Sequence, residues 1–181
     1  MNTETQSNPT PADSLAAART ESGQFLLNLS QEHPLLVVFV RHFGCTFCRE
    51  AMRDLGKLRQ QIEGEKGLRL VLVHMSPARY AEGQLEKYGL AGIHQISDPE
   101  QRLYRAMGLK RATFSQLFGW EMWKEGFRAG ILEGLGVGRE RGDGFQMPGY
   151  FILQSGEIVE QYLPKNAADH PDWLEMAECA L

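Results

Sequence analysis

Cys45 and Cys48 stand three residues apart in "HFGCTFCREAM", where an apolar run gives way to a helical pattern. Two thiols one helical turn apart admit three chemistries: redox exchange, half of a zinc site, or two inert core residues. A zinc site lacks its second half, since Cys179 is the only other cysteine and no histidine pair has finger spacing. The redox reading has a physical basis in placement. The strand is expected to end near Phe43, Gly44 permits a sharp turn, and a helix then starts within a residue or two of Cys45. Unpaired amides and the positive end of the helix dipole stabilise an anion there. A thiolate is such an anion, and a cysteine pKa of about 8.5 falls to roughly 3.5 to 7.5 in such settings. Arg41, His42 and Arg49 add positive charge nearby. Cys48 opens the buried stripe of the helix, so it is expected to be more protected than Cys45. It can still close a small disulfide. Oxidation by peroxide fits the same pair, one thiol becoming a sulfenic acid on which the other condenses.

The elements that must position this pair are legible as periodicities. "LLVVFV", introduced by Pro34, is a continuous β-branched and aromatic run, expected to be a central strand covered on both faces. Cys48, Ala51, Met52, Leu55, Leu58 and Ile62 then repeat at helical spacing, with Arg49, Arg53, Lys57 and Arg59 off that stripe. Residues 13–30, with Asp13 and Ser14 as candidate caps, read as a helix bent near Gly23. "LRLVLVHM" (68–75) is a second buried strand, Pro77 starts a helix to about Tyr88, and "HQIS" (94–97) is a short strand. Asp98 and Pro99 supply a cap and a first-turn proline for a helix to Met107. "YFIL" and "IVEQYL", separated by "QSGE", form a hairpin, and a last helix starts near Pro171. The order implies α/β layers with right-handed crossovers. Residues 110–144 break it, and read as a helical insertion followed by a glycine-rich loop.

At 181 residues, with 43% hydrophobic and 23% charged residues, the chain suits one folded domain. We expect a loose tail over residues 1–12 and a single domain over 13–181. The tail lacks the basic start and apolar core of a secretion signal, and no run approaches the length of a membrane span. The expected location is the cytosol. Net charge is −4 with scattered basic residues, which argues against a nucleic-acid partner. Gly134, Gly136 and Gly138 alternate with no strand before them, so they do not form a dinucleotide fingerprint.

Weaker candidates surround the pair. Pro148, in "FQMPGYFIL", precedes a strand, where a cis bond is an option. His74 ends a strand at the edge where α/β proteins gather functional groups, although a satisfied structural histidine is the more ordinary reading. Glu50 and Asp54 could relay protons, against the default of a solvated helix face. Cys179 near the terminus is a bystander unless it resolves between chains.

A strand leading into Cys-x-x-Cys, βα units, and Met147-Pro148 entering a hairpin together resemble the thioredoxin superfamily. More closely, "FVRHFGCTFCRE", "GD" at 142–143, "QMPGYFILQSGEIV" and "AADHPDW" resemble the AhpC/TSA-related peroxiredoxin-like proteins. The resemblance runs from about residue 15 to the end. It implies a three-layer α/β/α sandwich with a mixed sheet, and a cis Pro148 packed opposite the cysteines. The implied site comprises Cys45, Cys48, Met147 and Pro148, with Gly44, Thr46 and Phe47 flanking the substrate. Thioredoxin analogy makes Cys45 the attacking thiol and Cys48 the resolving one. Peroxiredoxin analogy, Pro-x-x-x-Thr/Ser-x-x-Cys, puts the attack at Cys48, with Cys45 in the Thr/Ser place and Arg41 where the proline should be. Expected exposure and the helix end favour Cys45. The expectation is a thiol-disulfide oxidoreductase or peroxiredoxin-like antioxidant enzyme acting on peroxide or disulfide. It needs no cofactor or metal, and is restored by an external dithiol such as a thioredoxin or glutathione system. A homodimer is an open option. The competing class is a non-enzymatic binding module with incidental thiols.

Overall fold

Leu35–Phe39 (β1) runs through the centre of a mixed sheet and accounts for its own unbroken apolar sequence. Leu36, Val38 and Val40 join one buried cluster, while Leu35, Val37 and Phe39 join another on the opposite face. A strand covered by helices on both sides has no face to give to polar residues. The structure, a computed structural model, describes residues 10–113 and 142–180.

β1 pairs in parallel with Arg69–His74 (β2), which pairs in parallel with His94–Ser97 (β3). On its other side β1 pairs antiparallel with Gly149–Gln154 (β4), followed by Glu157–Tyr162 (β5). Among the described residues the order is β3-β2-β1-β4-β5. The β4–β5 hairpin closes through Ser155 (φ 53°) and Gly156 (φ 85°), two left-handed residues whose twist matches paired strands.

One helical layer holds Pro11–Ala17 (α1), Leu26–Glu32 (α2) and, later in the chain, Arg102–Ala106 (α5). The other holds Thr46–Arg59 (α3), Ala78–Lys87 (α4) and Trp173–Glu178 (α6). This is the expected three-layer arrangement. The early helix divides in two near Gly23 (φ 84°), as its sequence suggested. Its cap is Thr10 rather than Asp13 or Ser14: the Thr10 side chain takes the Asp13 amide, and Asp13 answers as the third helical residue. Asp98 also serves its helix from further away than expected. α5 starts at Arg102, and the Asp98 carboxylate accepts the Arg102, Leu103 and Tyr104 amides at 3.0, 2.8 and 3.3 Å. Most of the helical insertion expected around 110–144 lies outside the described residues, from 114 to 141. Among the described residues no helix is long and apolar enough to cross a membrane.

Tyr104 ties the layer to the sheet where the site begins. Its ring meets Phe39 edge-on at 5.0 Å, and its hydroxyl lies 2.5 Å from the Val40 carbonyl and 3.0 Å from the Val73 carbonyl. It thus bridges the C-terminal ends of β1 and β2. Tyr104→Phe is expected to cost about 1 to 3 kcal/mol in a urea titration, because buried acceptors lose their donor while packing is kept. A change within error would show that the hydroxyl carries no weight.

Candidate active site

The chain leaves β1 at Val40 and reverses through Arg41 to Gly44. The Cys45 amide closes the turn by donating to the His42 carbonyl at 3.0 Å, and Cys45 becomes the N-cap of α3. Gly44 has no left-handed φ, so the turn rests on that hydrogen bond rather than on glycine's special freedom. Cys48 sits one turn inside α3, and its Sγ accepts the Arg41 backbone N–H at 3.3 Å. Both thiols are free.

Their environments push them apart. The Cys45 thiol is drawn down to about 5, chiefly by a hydrogen bond from the Cys48 thiol, with the Arg41 charge, the Cys48 amide and the His42 charge following and burial opposing. Cys48 moves well upward, because its proton is engaged by Cys45 and because it is buried. One thiol is poised as the anion and the other as its donor. The cause differs in part from expectation. Cys45 does sit at the helix N-terminus, but no full capping bond to its sulfur forms, and its neighbour's S–H contributes most. The expected contrast in exposure also fails, since Cys45 is 7% and Cys48 4% accessible. Access therefore does not separate the two; the hydrogen bond between them does.

Thr46 and Phe47 form the buried first turn of α3, and Gly44 is buried beside them. Met147 shares the apolar cluster of Cys45, Phe47 and Cys48. Because Phe39 pairs with Gly149 across the sheet, Met147-Pro148 enters at the β1 end where the cysteine loop begins. The buried Gln146 side chain fixes that entry, its amide donating to the Leu109 and Met147 carbonyls at 3.0 and 3.1 Å. One implied feature is corrected: no peptide bond among the described residues is cis, including the one before Pro148.

Glu50 is 3% accessible, against the expectation of a solvated face. It lies near Asp54 and His170, whose potential ligand atoms and its own all fall within 4.8 Å. Arg53 reaches the same cluster, 3.0 Å from Asp54 and 3.9 Å from Glu50, and supplies its countercharge. We assign it no ion. Arg49 donates to the Tyr88 hydroxyl at 2.8 Å. His74 is fully buried, with Nε2 3.1 Å from Gln95 Oε1 and its pKa lowered by burial. Its ring packs 5.5 Å from that of Phe43. Cys179 is exposed at the C-cap of the last helix, its thiol pushed up by desolvation and by Glu160 and other carboxylates.

Tyr150 escaped the sequence reading. It is buried and close enough to both cysteines for their charges to raise its own pKa, after burial itself. Strand alternation could have found it, since Tyr150 and Ile152 share the face of Leu36 and Val38.

Comparisons with known proteins bear on the fold and the family. Residues 52–165 match the family described as AhpC/TSA antioxidant enzyme, a span that begins after both cysteines and includes Met147-Pro148. The chain is 29% identical over 151 residues to Peroxiredoxin-like 2C of Mus musculus, covering 78% of this chain and 66% of that one. It is 34% identical over 114 residues to the Bos taurus protein of the same name, covering 58% and 49%. The chain thus spans two thirds or less of these curated relatives. Among solved structures, a cysteine-to-serine mutant of Xanthomonas campestris Peroxiredoxin Q superposes with a TM-score of 0.59 at 15% identity, over 86% of this chain and 85% of that one. That likeness establishes the thioredoxin-like fold. With the family match covering well over half its length, the chain belongs to the AhpC/TSA antioxidant enzyme family.

Proposed function

We propose that the protein reduces peroxides through its dithiol, with Cys45 attacking and Cys48 resolving. The observation that carries this is a pair of buried free thiols at the start of α3, Cys45 as its N-cap and Cys48 one turn in, accepting the Arg41 amide, an arrangement that lowers the pKa of Cys45 and raises that of Cys48. In the first step the Cys45 thiolate attacks one peroxide oxygen, the O–O bond breaks, and the departing alkoxide or hydroxide takes up a proton. Cys45 is then a sulfenic acid. The Cys48 sulfur displaces its hydroxyl as water, giving the Cys45–Cys48 disulfide. An external dithiol, of thioredoxin or glutathione type, attacks that disulfide and leaves as its own disulfide, returning both thiols. A small peroxide suits a cysteine as buried as Cys45 better than a protein disulfide does. Disulfide exchange remains the second reading, favoured by a Cys-x-x-Cys pair at a helix start.

One equivalent of hydrogen peroxide added to the reduced protein tests the cycle. Wild type is expected to lose two thiols and about 2 Da, the mass of two hydrogens. Cys48→Ser is expected to stop at a sulfenic acid on Cys45, about 16 Da heavier. Slow, unselective oxidation of Cys45, Cys48 and Cys179 alike would instead mark a binding module with incidental thiols. Comparing second-order rates with peroxide and with a model protein disulfide then ranks the two substrate classes.

A further inference from the structure

Arg41 is a buried cation, 8% accessible, and among the described residues no carboxylate pairs with it. Such a charge is costly unless something balances it. Its guanidinium Nη2 donates to the Gly144 carbonyl, and its backbone N–H donates to Cys48 Sγ at 3.3 Å. Residue 41 therefore joins the dithiol to the chain at 142–144.

That chain is built to approach closely. His42 and Gly142 form an antiparallel bridge. Gly142 has φ 148°, and a Cβ there would lie 2.7 Å from the Arg41 carbonyl oxygen and 3.1 Å from His42 Cβ, so a side chain would force the two segments apart. The next residue anchors the strap from the other side: Asp143 pairs with Arg111 at 3.2 Å and accepts from Gln101 at 3.3 Å.

We propose that Arg41 is a positioning residue, held beside the dithiol by the Gly142–Gly144 backbone, and that this strap sets how readily Cys45 attacks. The inference rests on Cys45 being the attacking thiol. The ionisable groups felt by Cys45 and Cys48 are Arg41 and His42 after β1, the partner thiol, Tyr150 on β4 and Tyr104 on α5. Burial keeps both tyrosines neutral, so Arg41 and His42 supply the positive charge.

The test follows the pH dependence of Cys45 alkylation by iodoacetamide, mapped by peptide mass, in protein shown to be folded by circular dichroism. Arg41→Gln is expected to raise the midpoint by about one pH unit or more, the shift typical of losing an opposite charge at close range. Arg41→Lys, which keeps the charge, is expected to recover most of it. Gly142→Ala changes no charge and is expected to move the midpoint upward as well. Asp143→Asn separates strap from field: removing a negative charge would by itself lower the midpoint, whereas loosening the strap raises it. A folded Arg41→Gln protein with the wild-type midpoint overturns the proposal. So does a shift in Arg41→Gln accompanied by none in folded Gly142→Ala, or, should that variant not fold, by a downward one in Asp143→Asn. A wild-type Cys45 midpoint above about 8, the range of an unperturbed thiol, would sink the peroxidase reading together with this one.

Discussion

Cys45→Ser is expected to abolish peroxide-driven disulfide formation, lowering the second-order rate by roughly a thousandfold or more, as loss of a catalytic nucleophile does. A serine hydroxyl is not ionised at neutral pH, so neither Arg41 nor the Cys48 thiol has an anion to stabilise there. Cys48 would keep its proton, since burial alone pushes its pKa up. Cys48→Ser should behave differently, because a hydroxyl can still donate to the Cys45 sulfur. First attack survives in that variant, and the cycle halts before the disulfide. Stopped-flow measurement of peroxide consumption under single-turnover conditions separates the two. Fast turnover in Cys45→Ser and none in Cys48→Ser would reverse the roles and restore the peroxiredoxin-motif assignment.

Gly56→Ala carries the largest expected effect on stability. By helix propensity alone, alanine inside α3 should stabilise by up to about 1 kcal/mol. A Cβ at Gly56, however, would stand 1.7 Å from the Tyr88 carbonyl oxygen and 3.0 Å from its carbon, both backbone atoms at the end of α4. Neither side can yield by rotating a side chain, so α3 and α4 must separate. The expected loss is about 3 kcal/mol, the upper end of the usual cost of overpacking. Gly83, on α4, provides the control, because nothing lies within 4 Å of a Cβ there. Gly83→Ala is expected to gain about 0.5 to 1 kcal/mol. Urea titrations of both variants decide the matter, and equal stability of Gly56→Ala and wild type would mean the helices are not packed as described. The consequence reaches the candidate site, since Cys45 caps α3 and Cys48 lies in its first turn.

The parts of this molecule that repeat along the chain could be read from the sequence. Unbroken β1 implied cover on both faces, and the Cys48-to-Ile62 stripe implied the helix that carries the thiols. The hairpin showed itself in Ser155 and Gly156. Boundaries were harder where a capping side chain acts at a distance: Asp98 serves amides four to six residues on, so α5 starts later than its proline suggested. The burial and placement of the candidate residues were legible in part, and the causes of their electrostatics less so. Spacing put Cys45 at a helix end, but spacing does not show that the Cys48 S–H outweighs the helix amides. Nor does it reveal that Arg41 faces Gly144, a contact across 103 residues. Glu50 was misjudged for a related reason. Its position on α3 looked like a solvated face, while α6 and the segment before it pack over that helix. The trans bond before Pro148 shows the limit of carrying a local conformation over from a resemblance.

The proposed chemistry requires Cys45 to be a thiolate near neutral pH while Cys48 holds the proton. Its most direct test is the pH dependence of iodoacetamide labelling at each cysteine of the reduced wild-type protein, resolved by peptide mass. Labelling of Cys45 is expected with a midpoint near 5, with Cys48 unreactive until far higher pH. Labelling of Cys48 first, or of both only above about pH 8 as unperturbed thiols would, contradicts it.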